Sequence, residues 1–365
     1  MSAFISAKEL TLQHQTYPKN VSKILLMTYM RSGSSFVGEL LKFGGNVFYV
    51  FEPFWSVYEK SFRTDTEVCF RNGTCHTPTK QLHKTNKTMS ILEAIFDCRI
   101  SDLPLEVLKS FTSFPYTSGY SRRCKSILSK KQLWRNRESR KKQVLYENRK
   151  DWCFTRWKRA CKEASARVIK TIRLSPRLLK EVESFVHDVK VVHLIRHPLG
   201  ILNSRRKIGE VNDNNMYLSA RHLCHLLNSD VLFVKDEMRQ KKGSVVPLTF
   251  ECMVSDPTVV ATKLFGILGL KYSKQTENWI LDHTTRSSGK SSTFTTEPKN
   301  QKPEIAKDSF YVRKTQSRNV ANAWKSTLSK KVIEEVDLVC NDLYKEIGFY
   351  TSNVSMDLSN YDIFC

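Results

Sequence analysis

Short unbroken apolar runs alternate along the chain with longer stretches in which apolar residues recur at helical spacing. The run Lys23-Ile24-Leu25-Leu26-Met27-Thr28-Tyr29 predicts a buried parallel strand, because both faces are apolar rather than alternating. Met30-Arg31-Ser32-Gly33-Ser34-Ser35 follows as a loop, and Phe36 to Phe43 then shows the spacing of a helix. A second strand is predicted at Phe48-Tyr49-Val50-Phe51, a third in the segment that ends at Lys170 and Arg173, and a fourth at Val189–Ile195. Ile333, Val336, Val339, Cys340, Leu343 and Ile347 trace one face of a helix and are expected in the core. Uncharged apolar runs such as Ile24–Met27 are far too short to span a bilayer, and Met1–Lys23 lacks a basic segment followed by an apolar one. No membrane anchor or signal segment is therefore expected in this chain.

Strand, Gly/Ser loop, helix is an arrangement that binds phosphate-like anions. Backbone N–H groups at the helix start point at the anion, and the helix dipole favours its charge. Here Gly33 permits close approach, Ser34 and Ser35 add hydroxyl donors, and Arg31 supplies a fixed positive charge. The GxxxxGK[ST] pattern of nucleoside-triphosphate loops is absent, which disfavours a kinase or ATPase. The strand Val189–Ile195 runs into Arg196-His197-Pro198-Leu199-Gly200 and a second helix that carries Ser204 and Arg205. Two such sites suit a ligand with anionic groups at both ends, such as a nucleotide bearing 5′ and 3′ groups.

Charge strengthens that picture. Fifty-nine Lys and Arg against 36 Asp and Glu give a net +23, which points to a polyanionic partner. The segment Ser121–Lys170 holds eighteen Lys/Arg and four Asp/Glu together with Trp134, Trp152 and Trp157, so it is expected to be more than a solvated tail. The ten cysteines show no zinc-finger spacing, but a disulfide could close the Cys69–Cys75 loop. Four glycosylation sequons, at Asn20, Asn72, Asn86 and Asn353, add to the case for an oxidising lumen.

Arg31-Ser32-Gly33-Ser34-Ser35-Phe36 resembles the 5′-phosphosulfate loop of the Golgi carbohydrate sulfotransferases, the galactose/N-acetylgalactosamine/N-acetylglucosamine 6-O-sulfotransferase group. Leu194–Arg205 is similar to their 3′-phosphate motif, although His197-Pro198-Leu199 stands where members usually carry Asp-Pro-Arg. Phe51-Glu52-Pro53, Ile169–Leu174, Asp256-Pro257 with Leu268-Gly269-Leu270, and Ala323-Trp324-Lys325 match in family order, and Lys60–Ala166 does not match.

The resemblance implies an α/β fold, a P-loop-like parallel sheet flanked by helices, with a basic and mostly helical insertion. The sulfotransferase domain is expected over 23–350, with an N-terminal segment 1–22, the insertion at about 60–166 and a C-terminal tail 351–365. It implies transfer of a sulfuryl group from 3′-phosphoadenosine 5′-phosphosulfate to a sugar hydroxyl, 6-O by analogy, in the Golgi lumen and without a metal. The partner expected is an acidic glycan or glycosaminoglycan, not nucleic acid.

Arg31, Ser32, Gly33, Ser34, Ser35, Phe36 and Val37 are the candidate 5′ site, and Arg196 with Ser204 the 3′ site. Arg31 also neutralises charge on the leaving oxygen. Glu52, at a predicted strand end, is the candidate general base, and Lys170 and Arg173 are candidates for orienting the acceptor. His193 reads as a core histidine and His197 as a residue that tunes the 3′ site. Lys314, Gln316 and Arg318 fall where the family closes a loop over the nucleotide. The alternative is a non-catalytic polyanion binder on the same fold, which need not bind the bisphosphate nucleotide.

Overall fold

A computed structural model describes residues 20–59, 68–69, 75–76, 81–114, 116–129, 140–181, 188–240, 243–284, 317–349 and 357–365. The strands β1 (Ser22–Thr28) and β2 (Val47–Phe51) flank helix α1 (Ser34–Leu41), and a short helical turn α2 (Trp55–Val57) follows β2. The insertion comprises a two-stranded antiparallel pair, β3 (Val68–Cys69) with β4 (Cys75–His76), and helices α3 (Gln81–Phe96), α4 (Leu105–Ser113), α5 (Arg122–Ser129) and α6 (Arg140–Glu163). Then come β5 (Ala166–Thr171), β6 (Val189–Ile195), α7 (Pro198–Arg206), α8 (Met216–Arg239) and β7 (Val245–Thr249). The remaining helices are α9 (Phe250–Ser255), α10 (Pro257–Leu268), α11 (Lys274–Thr284), α12 (Ser317–Asn322), α13 (Trp324–Thr327) and α14 (Lys330–Ile347). Among the described residues no helix is long and apolar enough to cross a membrane.

The main sheet is parallel throughout, in the order β2-β5-β1-β6-β7. β1 is the middle strand, and Ile24, Leu25, Leu26 and Met27 are fully buried, as an apolar run covered on both faces must be. β7 is not signalled by the hydrophobic pattern because Pro247 interrupts it. Proline lacks the N–H that a central strand needs, and β7 pairs only with β6, on the sheet edge where it is tolerated. The helix expected near the C-terminus is α14, with Val336, Cys340, Leu343 and Ile347 buried. Its Cα stop is Gly348 at φ 89°, where a Cβ would overlap the Asp357 carbonyl.

The insertion is packed: Trp157 is fully buried, with its ring 5.3 Å from Phe111. Residues 357–365 are no loose tail, since Leu358, Tyr361 and Phe364 are buried in the same core as the sheet. Residues 1–19 lie outside the described residues, as do 350–356.

Four disulfides staple this arrangement among the described residues. Cys98–Cys161 and Cys124–Cys153 tie the insertion to itself, Cys224–Cys340 joins α8 to α14, and Cys252–Cys365 joins α9 to the chain end. Cys69 and Cys75 face one another in register across β3 and β4, while their side chains lie outside the described residues. Asn20 and Asn86 of the sequons are exposed, and Asn72 and Asn353 lie outside the described residues.

Cys224–Cys340 spans 116 residues, so in the chain-entropy account it restricts the unfolded state strongly. Replacing both cysteines by alanine is expected to lower unfolding free energy by about 2–5 kcal/mol. Denaturant unfolding of the variant measures it, and an unchanged midpoint would remove the bond from the list of stabilising elements.

Candidate active site

The carboxyl ends of parallel strands are where an open α/β sheet leaves room for a ligand. Here those ends carry Arg31 after β1, Glu52 after β2, Lys170 and Arg173 at the end of β5, and Arg196 after β6. The loop after β1 turns sharply: Ser32 N donates to Tyr29 O at 3.2 Å, and Arg31 adopts φ 76°. Gly33 follows at φ 88°, and a Cβ there would lie 2.2 Å from the Phe250 ring, so only glycine fits beside it.

At the start of α1 the N–H groups of Phe36 and Val37 are taken by Gly33 O, at 3.0 and 3.3 Å. Both side chains are core, Phe36 lying 5.2 Å from the Trp279 ring. The described contacts of Phe36 and Val37, candidates for the 5′ site, are therefore with the helix and the core. The N–H groups of Ser34 and Ser35 have no acceptor within the helix, and no side chain caps it. Ser32 Oγ is buried without a hydrogen-bond partner, an orphan donor of the kind an anionic oxygen satisfies. The chemistry of this donor set fits a phosphosulfate group.

The second motif folds onto the first. Arg31 Nε donates to Ser204 Oγ at 2.9 Å, and Arg196 donates to the carbonyls of Arg31 (3.2 Å) and Val320 (2.6 Å). Arg196 Nε has no partner. Arg205 donates to Met30 O at 3.2 Å through one of its terminal nitrogens. Phe250 lies under the Arg196 guanidinium at 4.8 Å. Burial lowers the Arg196 pKa to about 10, and Arg31 adds to the effect against the opposing pull of Glu251. Glu251 itself is raised to about 7 by burial. Its Oε1 accepts from His197 N at 3.1 Å and its Oε2 has no partner.

His197 is explained by its position. Its Nδ1 accepts from Leu199 N at 3.3 Å, so a neutral imidazole caps α7. The ring stacks on Trp324 at 4.8 Å, and burial, with Lys325 and Arg196 nearby, depresses its pKa to about 3. His193 is a core histidine, paired through Nδ1 with Tyr361 Oη at 2.5 Å and depressed to about 4 by burial.

Glu52, 1% exposed and at φ 49°, is held from three sides. Its Oε1 accepts from Lys170 Nζ at 2.5 Å, and its Oε2 from Arg173 at 3.0 Å and Ile172 N at 3.4 Å. Burial lowers the pKa of Lys170, Glu52 opposes that shift, and Arg173 and Arg31 add to it, so the donor loop lies within electrostatic reach of this pair. Lys170 is 3% exposed with its ammonium on Glu52, so the described contact of this acceptor candidate is with the carboxylate. Arg173 shares that contact and also reaches Glu59 Oε1 at 3.2 Å. Lys314 and Gln316 lie outside the described residues, as does the Arg318 side chain.

A hub that motif reading misses sits between these groups. Asp230 of α8 is fully buried and accepts from Tyr29 Oη (2.7 Å), Ser175 Oγ (2.6 Å) and Arg177 Nε (2.8 Å). It thereby links the residue that enters the loop after β1 to the segment that leaves β5. The signal was present: Leu223, Leu227, Asp230 and Val234 follow core spacing, and a carboxylate on an apolar stripe needs partners. Glu251 and Phe250 had no such signal.

The family described as Sulfotransferase domain matches residues 21–348. The chain is 23% identical to carbohydrate sulfotransferase 6 of Homo sapiens over 352 residues, covering 89% of this chain and 80% of that one. It is 21% identical to carbohydrate sulfotransferase 1 of Mus musculus over 379 residues, covering 97% and 86%. Among solved structures, the sulfotransferase domain from the Synechococcus PCC 7002 olefin synthase aligns at a TM-score of 0.41 and 14% identity, over 90% of this chain and 97% of that chain.

The two buried histidines give an acid sensitivity of definite sign. Unfolded, each protonates near 6.5; folded, His193 does so near 4 and His197 near 3. Their contribution to stability is complete above about 6.5 and is lost as pH falls towards those folded values. Glu251 acts oppositely, its contribution being lost as pH rises through about 7. His197→Asn keeps a capping acceptor and removes the titrating ring. Unfolding free energies across pH 4–6.5 are expected to show a slope flattened by up to about 1.4 kcal/mol per pH unit. An unaltered slope would mean that His197 is not held neutral.

Proposed function

The chain belongs to the sulfotransferase-domain family and is a sulfotransferase, and from that premise we propose that it moves a sulfuryl group from 3′-phosphoadenosine 5′-phosphosulfate to a hydroxyl of a glycan, 6-O by analogy. The carrying observation is the bond from Arg31 to Ser204, with Arg196 on the Arg31 carbonyl. Two anion motifs far apart in sequence meet there as one surface for a nucleotide with groups at both ends. The names of the curated relatives, carbohydrate sulfotransferases, support a sugar acceptor. The oxidising lumen that four disulfides favour supports the Golgi as the place of action.

The donor, when bound, supplies an activated sulfuryl group on a good leaving group. Arg31, Ser32 and the N–H groups of Ser34 and Ser35 would hold its 5′ end, and Arg196 and Ser204 its 3′-phosphate. In-line displacement needs mostly positioning and charge neutralisation. Arg31 provides fixed positive charge where negative charge grows on the leaving oxygen. The acceptor hydroxyl loses its proton as the new sulfur–oxygen bond forms, and Glu52, at the end of β2, is the carboxylate we assign to take it. Lys170 and Arg173 keep that carboxylate aimed.

Glu52→Gln keeps the shape but not the proton acceptor. Turnover is expected to fall about 10²–10⁴-fold with donor binding close to wild type. Retained turnover with a lowered melting temperature would make the residue structural, a brace for Lys170 and Arg173.

Ligand pairs separate the nucleotide contacts. Arg196→Ala and Ser204→Ala should each weaken binding of adenosine 3′,5′-bisphosphate by about ten-fold or more, the worth of a charge-assisted hydrogen bond. Adenosine 5′-phosphate should lose little. Calorimetry with both ligands decides it, and equal losses would sink the 3′ assignment.

A further inference from the structure

A glycan whose reacting hydroxyl sits beside Glu52 extends beyond it, and one described surface, joined to β2 through residues 117–119, has the chemistry to hold it. Trp152 of α6 is 41% exposed although it lies in a packed insertion. The guanidiniums of Arg123 and Arg156 stand 5.1 and 5.8 Å from its ring centroid. A guanidinium stacked on an indole loses little further freedom on binding, and its N–H edge remains able to grip a sulfate or carboxylate in bidentate fashion. The exposed part of the indole offers apolar surface for the C–H face of a sugar ring.

The platform is rigid. Arg123 and Trp152 each immediately precede a cysteine of the Cys124–Cys153 disulfide, and Phe154 and Trp157 are buried beneath them. It is also tied to the catalytic edge of the sheet. Arg156 Nε donates to Gly119 O at 3.3 Å, and Ser118 N donates to Tyr49 O at 2.8 Å. Thr117 Oγ1 accepts from Phe51 N at 3.2 Å, and Phe51 is the residue before Glu52. Lys125 and Lys158 are exposed on the same two helices, within the stretch that carries most of the net positive charge of the chain.

We propose that Trp152, Arg123 and Arg156 form an acceptor subsite outside the catalytic cleft, which binds an anionic sugar residue of a sulfated or uronate-bearing glycan chain. The proposal rests on the glycan-acceptor reading given above. Charge complementarity selects the occupant. A nucleic acid strand would need a succession of stacking aromatics, and among the residues of α5 and α6 whose side chains are described, Trp152 is the only exposed aromatic.

The probe is a heparin-derived octasaccharide, compared with its desulfated, N-acetylated counterpart, by calorimetry without donor. The sulfated probe should bind wild type tighter, and Trp152→Ala and Arg123→Ala should each weaken it by about ten-fold. A control that removes two exposed charges elsewhere, Lys330→Ala with Lys331→Ala on α14, should leave it unchanged. The kcat/KM on a short uncharged acceptor should be unaffected in both platform variants. Equal losses in the control, or an equal loss for a single-stranded oligonucleotide of the same charge in Trp152→Ala, would overturn the proposal in favour of a general polyanion surface. If sulfated-probe binding behaves as expected while no hydroxyl acceptor is ever sulfated, the function fails and the subsite stands.

Discussion

Like charges crowded at the ends of three strands are the constraint on which this structure turns. Arg31, Lys170, Arg173, Arg196 and Arg205 gather there; burial lowers the pKa values of Lys170, Arg196 and Arg205, and neighbouring cations add to the shift at Lys170 and Arg196. Buried charge is tolerated only with partners. The protein answers with Glu52 beneath Lys170 and Arg173, and with the carbonyls of Met30, Arg31 and Val320 on Arg196 and Arg205. Carbonyl dipoles neutralise a cation only partly, so the assembled site keeps a positive field. A ligand with anionic groups at both ends completes that field, and the fold bears the repulsion until it binds.

Backbone strain marks the same places. Only three non-glycine residues among those described have positive φ, and Arg31 and Glu52 are two of them. Such a conformation costs of order 1–2 kcal/mol per residue. The bonds from Ser32 N to Tyr29 O and from Glu52 N to Lys170 O hold the two turns in place. Strained turns at strand ends aim side chains that a relaxed strand would send to one face or the other, which suits a site assembled from β1 and β2 with β5 lying between them.

Parts remote in sequence stiffen this arrangement from below. Asp230 on α8 draws Tyr29 and the segment after β5 together, while Tyr361 near the chain end holds His193 of β6 next to it. Asp362 accepts from Thr249 N and Oγ1 at the end of β7, directly before Phe250, and Cys365 is bonded to Cys252. The last nine residues are therefore a floor beneath the start of α9, which carries Phe250 and Glu251.

The sequence by itself determined the elements and the ligand chemistry. Unbroken apolar runs mark strands buried on both faces, and a Gly/Ser loop before a helix is readable because helix N-termini bind anions through their own backbone. The placing of Arg31, Glu52 and Arg196 at strand ends, and of Ser204 on the helix after β6, followed from these local patterns. What only the tertiary structure decided are the partners: that Lys170 and Arg173 serve Glu52, that Phe36 and Val37 turn inward, that Asp230 joins two loops, which cysteines pair, and that residues 357–365 enter the core. Local propensity depends on neighbours within a turn or two, whereas an ion pair across 118 positions or a disulfide across 116 depends on how the sheet is ordered. That order, β2-β5-β1-β6-β7, is set by long-range packing, which no short window of sequence contains.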